Sequence, residues 1–555
     1  MVGAQVVGPG YRCLITGRTI VCAARRGPLL FVALSVAGCG GGGSGAPGTG
    51  GTTGTAGATG TAATTGTAGA TGTAGATGTA GATGTAGATA ASELVVGAML
   101  PQRSGVDVSD MTAGVELAIA DMNAALANVA ATQQGAWRKA ITFRVETRDA
   151  LSMEQMAHDV MSQYGALGAK IVVTDTSASS IGANMWNYEE VGAQKTDMIP
   201  LVSFAATSAA LNDAAATDPD PIRQAALADP GEWFFRTCPV SAPIAAVRAA
   251  YAFHRGPTTD GDINGDGVIK IVWIGTNDAS AQASITDEQN AFAGYANDPS
   301  HGAAPLVTKT VSFDPGADPT TFSYTGVILN ALDASDGHPP DLIVNKTLID
   351  VAIPFSKAYE MTGATVQILE DASFRRNEVL ADLGAVADGQ LGVSSIAYES
   401  SPAGAAFAAE QTTEIFWPPL PSQSQGYDAT IMALLALVKA SQQVDDPSTE
   451  VTPTLVRDNL KTLSVPASQD PKRLVVTAGT NALADAIGAI IQNPTVNLNY
   501  DGGSGPVDFD AAGDVRSRVV QWTVQGGQFV EQQVYDCVTS PACPQAPRDP
   551  SLSPL

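Results

Sequence analysis

From Glu93 onward, short apolar runs alternate with stretches whose apolar residues fall at helical spacing, and this alternation most narrows the folds open to the chain. Leu94-Val95-Val96-Gly97-Ala98-Met99-Leu100 reads as a buried strand closed by Pro101. Residues 111–125 place Val115, Leu117, Ala118, Ile119 and Met122 on one helical stripe, with Ser109-Asp110 as the cap. A strand over 141–145, a helix over 153–164 and strands over 171–174 and 199–203 follow. Strand–helix alternation of this kind predicts a parallel sheet covered by helices on both faces. Ligands of such sheets sit at the carboxyl ends of the strands. The loops expected there are 101–105, 175–182 and 204–208.

After Trp233-Phe234-Phe235-Arg236-Thr237 the rhythm restarts. A helix over 244–253 leads to a strand at 269–274 and a helical stretch at 285–296. Strand 307–313, helix 320–333, strand 341–344, helix 349–362 and strand 365–369 come next. Residues 389–398 are extended, and 427–441 form a strongly apolar helix. The expected fold class is therefore α/β, with two Rossmann-like lobes built around parallel sheets from discontinuous chain.

The amino terminus reads as an address. Arg25 and Arg26 precede an apolar run from Leu29 to Val36 that is too short to span a bilayer but suits the core of a signal peptide. Its ending, Val36-Ala37-Gly38-Cys39, resembles a bacterial lipobox, in which Cys39 is lipidated and becomes the first residue. The stretch before Arg25 is long for a signal, so a downstream start codon is an alternative. Gly40 in place of Asp resembles an outward sorting cue. Residues 40–91 consist almost wholly of Gly, Ala, Thr and Ser, with Gly-Thr-Ala-Gly-Ala-Thr repeated over 66–89. No large apolar side chain is present to stack repeats into a solenoid. The tract reads as a flexible tether with a reach of about 40 Å.

Four segments of the body, in order, resemble the type I periplasmic binding proteins, specifically the branched-chain amino-acid-binding (receptor ligand-binding) family. They are Val95-Val96-Gly97-Ala98-Met99 with Gly114-Val115-Glu116-Leu117-Ala118; 199–208 ending Ala206-Thr207-Ser208; Trp233-Phe234-Phe235-Arg236-Thr237; and Gly505-Pro506-Val507-Asp508-Phe509-Asp510 through Gly513-Asp514. The resemblance runs over roughly 93–535. It implies two lobes joined by three crossing strands that close over a small polar molecule. The expected organisation is a signal peptide at 1–39, a linker at 40–91, lobe 1 from 92–239 and 396–510, lobe 2 from 240–395 and 511–535, and a tail at 536–555.

The resemblance places ligand contacts at Ser177, Ser179 and Ser180 after the third strand and at Ala205 and Thr207 after the fourth. Hydroxyls and free N–H groups at helix starts suit a carboxylate or carbonyl. A helix cap is the alternative role for each serine. In the second lobe the family's aromatic position falls on Leu348, and its ammonium-binding carboxylate falls on Ala372. Glu370 and Asp371 are adjacent and could substitute. A desolvated ammonium needs a negative partner, so an amide, a small acid, a peptide fragment or no ligand at all stands beside a free amino acid as the alternatives. Gln102, Arg103, Asn345 and Lys346 are weaker candidates.

Asp262, Asn264 and Asp266, followed by Gly267, resemble the first half of a calcium loop, but the twelfth position is Trp273 rather than a carboxylate. A structural calcium and a solvated turn are the two readings. No other cofactor is expected. Once the signal is removed and Cys39 lipidated, Cys238, Cys537 and Cys543 remain. A Cys537–Cys543 bridge with Cys238 buried and free is expected, and a bond from Cys238 to one of the others is the alternative.

Charge excludes one large class of partners. Residues 1–92 hold no acid and only four arginines, so the body carries 54 acids against 25 bases, a net −29. Such a surface repels phosphate backbones, and no nucleic-acid partner is expected. The four histidines lack metal-ligand spacing. Nucleophile-elbow, zincin and phosphate-loop motifs are absent, so no enzyme is expected. The family resemblance, with the lipobox, implies a lipid-anchored, extracytoplasmic solute-binding protein at the periplasmic or outer-membrane face of the cell envelope, serving an ABC permease. A sensory or scaffold lipoprotein of the same fold is the alternative.

Overall fold

The computed structural model describes residues 5–8, 11–16, 19–24, 32–35, 91–100, 109–133, 137, 139–150, 153–190, 195–254, 261–277, 279–298, 304–315, 319–347, 349–396, 404, 407, 421–516, 518–535 and 537. Cys39, Gln102, Arg103, Leu348 and Cys543, with nearly all of the tether, lie outside that set. The chain divides into two compact units, Met1–Thr83 and Gly84–Leu555. In the first, β1 (Gln5–Gly8), β2 (Tyr11–Thr16), β3 (Thr19–Ala24) and β4 (Val32–Ser35) pair antiparallel in sequence order. Among the described residues no helix is long and apolar enough to cross a membrane.

The second unit opens with lobe 1. Strands β5 (Ser92–Met99), β6 (Ile141–Arg148), β7 (Ile171–Thr176), β8 (Leu201–Ala205) and β9 (Phe234–Arg236) form a parallel sheet in the order β6-β5-β7-β8-β9. Helices α1 (Ser109–Thr132), α2 (Glu154–Ala166), α3 (Ser177–Asn187) and α4 (Pro221–Ala228) connect them. The inner strands β5, β7 and β8 are buried on both faces because both are covered, whereas the edge strand β6 is only half-buried. Ile171 and Val173 of β7 pack with Val115 of α1, while the intervening Val172 packs with Met161 of α2 and Ile181 of α3.

Lobe 2 repeats the plan. Helix α5 (Ser241–Phe253) precedes β10 (Ile269–Thr276), α6 (Ala279–Ala296), β11 (Leu306–Phe313), α7 (Thr325–Ala331), β12 (Leu342–Asn345), α8 (Ile349–Thr362), β13 (Gln367–Glu370), α9 (Asn377–Leu383) and β14 (Leu391–Ile396). The chain then returns to lobe 1 through α10 (Pro421–Gln442), α11 (Pro447–Glu450), α12 (Pro453–Leu460), β15 (Leu474–Thr477), α13 (Thr480–Gln492), β16 (Leu498–Gly502) and β17 (Gly505–Pro506). Finally β18 (Arg518–Gln525) and β19 (Gln528–Tyr535) add an antiparallel hairpin to the lobe 2 sheet, whose order is β11-β10-β12-β13-β14-β18-β19.

Three passages between the sheets result: after β9, between β14 and α10, and after β17. The first and third are tied by a parallel bridge between Pro239 and Val515. Helix α10 forms the floor of lobe 1, and α1 lies against it. Gly114 allows that approach, since a Cβ there would stand 1.9 Å from the Gln423 carbonyl oxygen.

Candidate functional site

In both sheets the first strand of the lobe is flanked by the second on one side and the third on the other. The connections on either side of that point leave in opposite directions, and a crevice opens at the carboxyl ends of the two strands. In lobe 1 the switch lies between β5 and β7, and Ser177 directly follows β7. In lobe 2 it lies between β10 and β12, and Lys346 directly follows β12.

The serines expected in a loop are the first turn of α3. This corrects the sequence expectation, and the cause is local. Thr176 caps the helix by accepting from the Ser179 N–H at 3.3 Å, so no loop separates strand from helix. Ser180 is fully buried; its hydroxyl contacts Thr174 Oγ1 at 2.8 Å and donates to Ser203 Oγ at 3.1 Å, joining α3 to β7 and β8. Ser179 is also fully buried, 3.2 Å from Thr176 Oγ1. Ser177 differs from both. Its oxygen accepts from the Ser208 N–H at 3.1 Å, and its own hydrogen has no acceptor among the described residues. Ala205 ends β8, half-buried. Thr207 beyond it is half-buried, with a hydroxyl that bonds to no described residue, while its carbonyl accepts from Ser241 N at the start of α5.

The Thr207 loop is held from beneath by a group that sequence reasoning noted only as part of a motif. Arg236 is fully buried, and its guanidinium donates to the carbonyls of Ala206 at 2.9 Å, Ser208 at 2.7 Å and Leu211 at 3.0 Å. Its Nε and Nη2 also fork onto Asp514 at 2.6 and 2.9 Å. Asp514 belongs to the third passage, so Arg236 ties the loop of lobe 1 to the crossing chain.

At the equivalent edge of lobe 2, four charged side chains alternate in a closed ring. Glu288 Oε1 contacts both Arg248 and Lys346, the latter at 3.0 Å. Asp371 Oδ2 contacts the same two cations, at 3.2 Å from Arg248 and 2.6 Å from Lys346. Trp273 of β10 donates to the other oxygen of Glu288 at 3.1 Å. Burial pushes both acids up, but the two cations overrule it and hold Glu288 and Asp371 below the usual carboxylate range. Glu370 behaves in the opposite way. Burial pushes it up to about 8; Asn345 donates to it at 2.9 Å, and neighbouring Asp371 adds to the upward shift. It is a neutral acid at pH 7. Asp371 also caps the turn Ala372–Phe374, accepting from Ser373 N. Neither Glu370 nor Asp371 is thus an unpaired anion awaiting an ammonium group.

The lobes touch beside this edge, where α3 lies against α6. A cavity of about 240 Å³ there is lined by Ile181, Ser208, Asp213, Asp218 and Arg223 of lobe 1 and Asp287 of α6. Burial raises the pKa of Asp287, one of whose oxygens is buried without a hydrogen-bond partner among the described residues.

In the acidic loop, Asp262 accepts from the N–H groups of Gly265 at 2.7 Å and Gly267 at 2.8 Å. Asn264 accepts from Asp266 N, and Asp266 pairs with His338 at 3.1 Å. Among the described residues no three His, Cys, Asp or Glu side chains are grouped to hold a metal. Cys238 is a free, buried thiol, pushed up to about 12 by burial and so unreactive. Cys537 is disulfide-bonded.

No family model matches the chain, and no curated protein matches it in sequence. Solved structures do match in fold. The chain is similar to a leucine-binding protein from Thermotoga maritima, with a TM-score of 0.54 at 16% identity, covering 80% of this chain and 98% of that one. It also matches a branched-chain amino-acid transporter substrate-binding protein from Streptococcus pneumoniae in complex with isoleucine, with a TM-score of 0.49 at 14% identity over 80% of this chain and all of that one. A solute-binding protein from R. palustris in complex with benzoate gives a TM-score of 0.49 at 16% identity over 80% and 96% of the two chains. The fold assignment rests on the first. The body has the two-lobed fold of a type I periplasmic binding protein, as its four sequence segments imply.

Proposed function

We propose that this two-lobed binding-protein fold captures a small polar molecule between its lobes, as an extracytoplasmic lipoprotein anchored through Cys39 and serving an ABC permease. The observation that carries the reading is the unspent polarity at the carboxyl ends of β7 and β8 in lobe 1. Ser177 and Thr207 keep hydroxyl hydrogens with no acceptor among the described residues, at the strand ends where open α/β sheets bind ligands. The lipobox and the tether beyond it support anchoring and freedom to reorient. Fold alone does not fix transport. A sensory or scaffold lipoprotein is the second reading, and an adjacent receptor-kinase or secretion gene, rather than a permease gene, would favour it.

A thermal-melt screen of the ligand-stripped chain tests capture, using amino acids, amides, small carboxylates and short peptides, each with and without calcium. A solute at 100 times its dissociation constant adds about 2.7 kcal/mol of stability. The expected result is a rise of several degrees for one chemical class, abolished by Thr207→Val. A flat response across the panel contradicts solute capture and moves the reading to the scaffold.

A further inference from the structure

Resting on solute capture, we infer that the ligand is a compact organic cation whose other polar groups are uncharged, with the cationic group seated against Asp175 of lobe 1. Asp175 is the penultimate residue of β7, one of the two strands that flank the lobe 1 switch point. Strand alternation puts it on the same face as Val173, toward α1. It is 2% exposed, and its Oδ1 is buried with no hydrogen-bond partner. Burial pushes its pKa up; Ser179 opposes that shift, and Asp149, just beyond β6, adds to it as a like charge. Arg148, next to Asp149 in sequence, lies over the Tyr164 ring on the opposite face of the sheet. A carboxylate withdrawn from water in this way is costly unless an opposite charge meets it.

The facing lobe does not supply that charge. Arg248 and Lys346 each contact both Glu288 and Asp371, so the ring is neutral as it stands. Arg236 is committed to Asp514 and three carbonyls. In the adjoining cavity the acids again exceed the bases. Asp213, Asp218 and Asp287 line it with Arg223, which is already shared between Glu154 and Asp218. Asp287 keeps a buried oxygen of its own without a hydrogen-bond partner, within electrostatic reach of Lys346. A carboxylate on the ligand would add one more like charge to these walls. Among the described residues no three His, Cys, Asp or Glu side chains are grouped to hold a metal, so an organic cation fits better than a metal ion. The Ser177 and Thr207 hydroxyl hydrogens then call for an uncharged acceptor, such as a carbonyl, on the same molecule.

The test takes matched series through calorimetry on the ligand-stripped full chain at about pH 7, where an α-amino group is still mostly protonated. Each series compares an amino acid (alanine, leucine or phenylalanine) with its primary amide and with the same amide lacking the α-amino group. The amino acid and its amide differ by the carboxylate alone, and the two amides differ by the ammonium alone. The expected result is at least tenfold tighter binding of the amino-acid amide than of either relative in each series that binds. Asp175→Asn has the shape of the neutral acid; it should lose at least tenfold for the amino-acid amide and little for the neutral amide. An amino acid or neutral amide that binds as tightly overturns the inference while leaving solute capture standing, and so does wild-type binding by Asp175→Asn. Silence in every series while another class of the screening panel binds has the same meaning. Silence across the series and the panel together overturns both the inference and solute capture. Should Asp175→Asn fail to fold, the wild-type series alone decide.

Discussion

Arg236→Met is expected to destabilise lobe 1 by about 3–5 kcal/mol, the range seen when one partner of a buried ion pair is removed. The change strips Asp514 of its guanidinium fork and leaves the carbonyls of Ala206, Ser208 and Leu211 without their donor. Urea unfolding followed by tryptophan fluorescence reads the loss as a lowered first midpoint. Arg236→Lys keeps the charge but cannot reproduce the fork, and should fall between the two. Because the same carbonyls hold the Thr207 loop in place, solute binding should weaken in both variants under conditions where they remain folded. A midpoint for Arg236→Met equal to wild type would show that the loop is held by something else.

The second large effect is on pH dependence, through Glu370. Its folded pKa is raised to about 8 from the usual value of 4.5, chiefly by burial. Between those values the native state holds a proton that the unfolded chain releases, so stability falls as pH rises through the window and levels off above about pH 8. Each pH unit is worth about 1.4 kcal/mol. Glu370→Gln has the shape of the neutral acid and does not titrate. Relative to wild type, the variant should therefore gain about 2 kcal/mol between pH 6 and pH 8, measured as the difference in urea midpoints. Groups that titrate identically in both proteins cancel in that difference. Parallel pH profiles for the two would show that Glu370 is ionised in the native state.

The alternation of apolar runs and helical stripes made the fold legible in the sequence, because a doubly covered sheet writes its strands as continuous apolar runs. Where no such signal exists, the structure departs from expectation. Ser177-Ala178-Ser179-Ser180 has neither helical periodicity nor high helix propensity, and α3 forms there because burial and the Thr176 cap override propensity. A strand as short as Leu474–Thr477 leaves little pattern in sequence. The charge ring was legible in fragments only. Lys346, Glu370 and Asp371 stood out at strand ends, but Arg248 and Asp371 are 123 residues apart in sequence and meet through the fold alone. One signal was present nonetheless: Arg248 is a lone cation amid Val247, Ala249 and Ala250 on an apolar helix, which is how a buried, paired charge looks in sequence.

The central claim, that one small molecule is held jointly by both lobes, is tested most directly by amide hydrogen exchange with and without the tightest-binding solute of the screen. The account predicts slowed exchange at 175–182 and 204–209 of lobe 1 and, in the same experiment, at 344–347 and 369–374 of lobe 2. Slowing confined to one lobe would contradict it.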